Sequence, residues 1–178
     1  IAGVNALVGQ DLPNEPDQCS TAMPVNCEHQ RFAGNITTAL TPAEVAKKLS
    51  KASLVFLGES HTSAEFHRVQ LQVIRELHRA GRKVLVGLEM FPVAEQPALD
   101  LWNTGTLSEE EFVEKSRWYR NWGYHWNYYR DIFLFCRDAK IPLHGVNVPR
   151  ELVSDVRRKG FDGLTAEQKA LLPPRIDA

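Results

Sequence analysis

The sequence predicts an α/β domain built on a parallel or mostly parallel sheet with flanking helices. Three observations lead there. Three short apolar runs read as buried strands, amphipathic helical segments separate them, and Ser/Thr caps and glycine stops mark where helices begin and end. Strands joined through helices of this length form βαβ units, whose right-handed crossovers generate a parallel sheet.

Taken in chain order, residues 1–40 carry Pro13, Pro16 and Pro24 with no sustained period. They read as an irregular arm laid over an α/β domain at 41–178. "TPAE" puts Thr41 at a helix N-cap, Pro42 in the first helical position and Glu44 where a capping box needs it, so a short helix runs to Ser50. "SLVFLG" is then a buried strand. "TSAE" at 62–65 reads as a second capping box, followed by Phe66, Val69, Val73, Ile74, Leu77 and Ala80 at helical spacing and stopped by Gly81. "KVLVGLEM" is the next strand, "SEEE" at 108–111 opens a helix, and a further helix spans 127–139. "IPLHGVNV" is the third strand. "PRELVSDVRRKG" is a helix over 149–160 with basic residues in its last turn, and "TAEQKALL" carries a capping box for one more.

Composition narrows the function. The 178 residues, 43% hydrophobic and 24% charged, suit one soluble globular domain. A formal net charge of -1 and the lack of any block of like charge give no electrostatic footprint for nucleic acid. No apolar run approaches the roughly 20 residues that cross a bilayer, and the first residues lack the basic end and apolar middle of a signal peptide. Cys19 and Cys27 either close a small loop as a disulfide or stay as two free thiols, whereas Cys136 lies in an apolar helical pattern as a buried thiol. The sequon at Asn35 carries no weight by itself.

Two stretches hold the candidate chemistry. In open parallel sheets ligands collect beyond the carboxyl ends of the strands, where Glu59, His61, Glu89 and Asn147 all fall. Glu59 and Glu89 in one desolvated pocket need a proton, a cation or an arginine such as Arg150, and His61 suits a general base or metal ligand. The bland alternative has Glu59 and His61 capping the next helix. His67 and His78, on the stripe with Leu71 and Ile74, read as partly buried structural residues. The second stretch, "RWYRNWGYHWNYYR" at 117–130, holds all four tyrosines and three of the four tryptophans, interleaved with His125, Arg117, Arg120 and Arg130. Rings and guanidinium forks suit a flat anionic conjugated ligand such as haem, but equally a core layer or a partner surface.

The ordered set "FLGESHTSAEFHRVQLQVIREL", "VLVGLEMFPVAEQPALDLWNTG" and "WNYYRDIFLFCRDAKIPLHGVNVPRELV" resembles the ChaN-type haem-binding family, placed with the Tiki and erythromycin-esterase-like proteins. The resemblance runs from Leu54 to Gly160. It implies an exported, often lipid-anchored protein of the cell envelope or periplasm, engaged in haem and iron uptake with a membrane receptor or transporter. It also implies haem as cofactor, bound in an aromatic site by Tyr129; the aromatic and arginine concentration itself offers Tyr128, Tyr124 and His125 as competing ligands, with Arg130 beside them. A haem carrier is the leading expectation. The competing one is a hydrolase of the Tiki or erythromycin-esterase type, using Glu59, His61 and Glu89 with or without a metal. Members of the family usually continue further, so part of the fold is expected to be missing, completed by a second chain or by a homo-oligomer.

Overall fold

A computed structural model describes residues 3–9 and 40–172 of the chain. Among the described residues four strands form: β1 (Gly3–Gly9), β2 (Leu54–Gly58), β3 (Lys83–Pro92) and β4 (Leu143–Asn147). They form one sheet in the order β2-β1-β3-β4, with β3 and β4 parallel and β1 antiparallel to both its neighbours. The three expected strands therefore share one direction. β1 corrects the expectation of an irregular arm over its own seven residues. Its central "VNALV" supplies the ladder between two strands that would otherwise lie apart, which no local signal announces. Cys19, Cys27 and Asn35 lie outside the described residues.

The helices are α1 (Pro42–Leu49), α2 (Ala64–Arg79), α3 (Gln96–Asn103), α4 (Glu109–Lys115), α5 (Trp118–Asn121), α6 (Arg130–Asp138), α7 (Arg150–Lys159) and α8 (Ala166–Ala170). Capping boxes form as expected at Thr41 with Glu44, Ser108 with Glu111 and Thr165 with Gln168. The one expected at 62–65 does not. Ser63 is the N-cap of α2, and its hydroxyl turns to the Glu65 carboxylate instead of taking a backbone N–H. The helix expected over 127–139 begins at Arg130, because Trp126–Tyr128 form a separate 3-10 turn capped by His125. α3 and α5 were not expected.

Register fixes the two faces of the sheet. Val55, Val86 and Leu143 fall in one row, all buried, whereas Phe56, Gly87 and His144 fall in the next row, on the opposite face. The first face packs on α2 through Val73, Ile74 and Leu77 and on α6 through Ile132, Phe133 and Cys136. Burial pushes the Cys136 thiol up to about 12, so it stays a protonated, inert filler of this layer. Where β4 meets the end of β3, a Cβ on Gly145 would stand 2.8 Å from the Pro92 carbonyl oxygen, so only glycine permits this approach. The close pass lets Gln96 of α3 accept a hydrogen bond from the Gly145 N–H.

Beyond the sheet the core is aromatic. Phe133 packs edge-on or tilted against Phe91, Trp102, Phe112, Trp118 and Trp126, with centroid separations from 4.9 to 6.4 Å. Such pairs add about 0.5–1.5 kcal/mol each beyond the area they bury. The Trp102 indole N–H is satisfied by the Phe133 carbonyl. Much of the aromatic segment is therefore core, which fixes the backbone of 117–130 and aims its remaining side chains.

Candidate functional site

Since β2, β3 and β4 run the same way, their carboxyl ends share one edge of the sheet, as expected. Glu59 follows the last residue of β2 and turns inward, leaving its side chain 1% exposed. Its Oε1 accepts from the Tyr129 hydroxyl at 2.7 Å and from His61 Nδ1 at 2.6 Å. His67 Nε2 lies 2.6 Å from Oε2 but off the ring N–H direction, an ion-pair approach without a hydrogen bond. Three titratable side chains thus meet around one carboxylate. They come from the loop after β2, the first turns of α2 and the entry to α6.

The electrostatics follow from burial and these partners. Burial alone raises the Glu59 pKa, but contacts from His67, His61 and Tyr129 together outweigh it and hold the carboxyl below its ordinary value. Glu59 is therefore an anion. Tyr129 is 0% exposed, and burial followed by the bond to Glu59 raises its phenol well above the usual tyrosine range. The Trp122 indole N–H acts the other way, close to the phenol oxygen but outside hydrogen-bond geometry. An ionised Glu59 fixes the proton of His61 on Nδ1, leaving Nε2 as the basic nitrogen. The His61 ring packs against both Trp122 and Tyr124, each at 4.6 Å, and these two also touch each other at 5.5 Å.

Placement of the expected residues is uneven. Glu59, His61, Tyr129 and Tyr124 come together. Tyr128 is half-buried beside His67, at 5.8 Å between rings. Glu89 lies within β3, half-buried, with its carbonyl accepting from Asn147 Nδ2. Arg150 is not the cation that compensates Glu59: it opens α7, is exposed and acts on Glu151. Glu59 is held instead by contacts from His61, His67 and Tyr129, the two imidazoles reaching it from the loop and helix that follow β2 directly. His67, expected to be structural, is 4% exposed and part of the cluster. Its signal was present in the sequence, since His67 and Gln70 are the two polar residues on an otherwise apolar buried stripe of α2. His78 is half-buried against Phe135, as expected.

His125 and Arg130 face elsewhere. Arg130 makes a bidentate pair with Glu109, at 2.6 and 2.7 Å. The Trp126 indole N–H donates to the same carboxylate. Beside this pair, an open cleft of about 560 Å³ lies between α4 and the chain from Arg117 to Asn127, with His125 on its wall. Among the described residues no three His, Cys, Asp or Glu donors converge as a metal site. No helix of the described residues is long and apolar enough to cross a membrane.

Comparison with known protein families gives a match. A family model described as haem-binding uptake, Tiki superfamily, ChaN, matches residues 45–178, well over half of the chain. Neither a curated protein nor a solved structure matches.

Proposed function

Because the chain belongs to the ChaN family of haem-binding uptake proteins in the Tiki superfamily, we propose that it binds ferric haem and serves haem or iron uptake in the cell envelope. In this role it would exchange haem with a membrane receptor or transporter. The family match over 45–178 is the observation that carries the reading. The side chains of 117–130 fit haem in kind: indole faces to stack on, guanidinium groups for propionates, and phenols and an imidazole for iron. Bound haem would supply the iron chemistry, while the chain's own residues bind and orient it.

The fit differs from ligand to ligand. Tyr129, first in the resemblance, keeps its proton on a fully buried oxygen bonded to Glu59, so ligation by it requires the phenol to leave that carboxylate. Tyr128 and Tyr124 are half-buried at the edge of the cluster, and His125 is exposed. Titrating the purified protein with haemin should give a saturable shift of the Soret band at one haem per chain. Absence of saturable uptake at micromolar haemin contradicts the proposal.

The Glu59–His61 pair favours a second reading. A carboxylate that fixes its neighbour's tautomer leaves His61 Nε2 able to take a proton from water, as a hydrolase base does. Ester hydrolysis by the parent that disappears in His61→Ala with unchanged melting supports this alternative over the carrier.

The proposal includes a second copy or chain completing the sheet. Leu54, Phe56 and Val146 share the face away from α2 and α6 and are exposed, an apolar surface that isolated domains avoid. Light scattering should find an assembly larger than one chain. A compact monomer that melts cooperatively at micromolar concentration would refute it.

A further inference from the structure

The cleft between α4 and α5 lies outside the Glu59 cluster and has the features of a ligand site. Its volume of about 560 Å³ sits inside the roughly 300–1,000 Å³ range of small-molecule and cofactor sites. Trp118 and Trp126 form its apolar floor, both buried and both locked by indole N–H bonds, to the Tyr124 carbonyl and to Glu109. That floor is rigid. Tyr119 stands beside it, 56% exposed, with its ring 6.3 Å from His125.

Charge in the cleft is divided between two walls. On the α4 wall Glu110 and Glu114 are exposed carboxylates, while Glu109 is neutralised by Arg130. The other wall carries Arg117 and Arg120, whose acidic contacts are solvent-exposed or long: Arg120 to Glu151 at 3.2 Å and Arg117 to Glu95 at 3.9 Å. Contacts of that kind exchange readily for a better anion. Arg117 has φ 51, a left-handed backbone that a non-glycine residue rarely adopts. This conformation, with Ser116, turns the chain from α4 directly into α5, and Arg117, Tyr119 and Arg120 all line the cleft.

We propose that ferric haem lies in this cleft, with the Tyr119 oxygen on the iron and Arg117 and Arg120 on the propionates. The proposal rests on the haem-binding reading above and names its site. Glu110 and Glu114 repel propionates and so fix which edge of the macrocycle faces the arginines. His125 is the poorer ligand. Its Nδ1 accepts the Asn127 N–H at 3.2 Å, which puts the proton of the neutral ring on Nε2, the nitrogen facing away from the cap. Ligation there would sacrifice the cap. Tyr119 has no such commitment: as the iron–oxygen bond forms, its phenolic proton leaves to solvent.

Haemin titrations of Tyr119→Phe, Tyr129→Phe and Arg117→Ala/Arg120→Ala test it, read by absorption spectrum and affinity, with melting temperature followed in parallel. Tyr119 and both arginines are exposed, so these variants should melt like the parent. Tyr119→Phe should lose the phenolate-to-iron charge-transfer band, and the double arginine variant should bind at least about tenfold more weakly, as expected for lost charged hydrogen bonds. Tyr129→Phe should keep the parent spectrum. An unchanged spectrum in Tyr119→Phe, or loss of the band in Tyr129→Phe, overturns the assignment while leaving haem binding intact. A parent that takes up no haemin overturns both.

Discussion

Replacing Glu59 with alanine should destabilise the protein by about 3–5 kcal/mol, the cost of breaking a buried charged cluster by removing one member. The Tyr129 hydroxyl and His61 Nδ1 would lose their acceptor, and His67 would be left buried without its carboxylate neighbour. Glu59→Gln keeps the volume and one acceptor and should cost less. The dependence on pH follows from the direction of the shift. Because the folded Glu59 titrates below its ordinary value of 4.5, its contribution is complete above about that pH and is lost as pH falls through the folded pKa. The stability difference between parent and Glu59→Gln, measured by urea unfolding, should therefore be constant near neutrality and shrink below pH 4.5. A difference that grows on acidification would show that the carboxylate is not the anchor of the cluster.

Phe133→Ala should cost a comparable amount, about 3–5 kcal/mol, through the lost transfer energy and the cavity left in a close-packed layer. Against a typical domain stability of about 5–15 kcal/mol, that is a large share. Phe133 touches both indoles that floor the α4–α5 cleft, so the variant should weaken haem binding together with stability. This coupling separates it from Tyr119→Phe, which should change the spectrum and leave unfolding alone. Chemical denaturation of Phe133→Ala showing a loss under 1 kcal/mol would mean that the aromatic layer can collapse around the gap.

How much the sequence disclosed depends on how local the cause is. The caps at Thr41, Ser108 and Thr165 were legible because a hydroxyl and a carboxylate or amide three residues apart settle them without the rest of the chain. β1 was not, because "GVNALVG" becomes a strand only between β2 and β3, each reached through distant segments. Gathering at the strand ends was visible for Glu59 and His61. Their meeting with Tyr129, seventy positions on, was not, since it depends on how α6 packs across α2. The carboxylate partner of His67 was not legible, because a histidine on an apolar stripe is usually just packed and Glu59 reaches it only in the fold. The aromatic stretch divided between both readings: Trp118, Trp126 and Tyr129 are core, whereas Tyr119 and His125 face the cleft.

If this chain binds ferric haem through a phenolate oxygen, as proposed, resonance Raman spectroscopy of the ferric complex tests it most directly. Excitation in the charge-transfer region should bring out phenolate ring modes together with a high-spin ferric haem, and those modes should vanish on reduction. A complex showing only imidazole-ligated, low-spin haem, or a protein whose spectrum is unaltered by haemin, would contradict it.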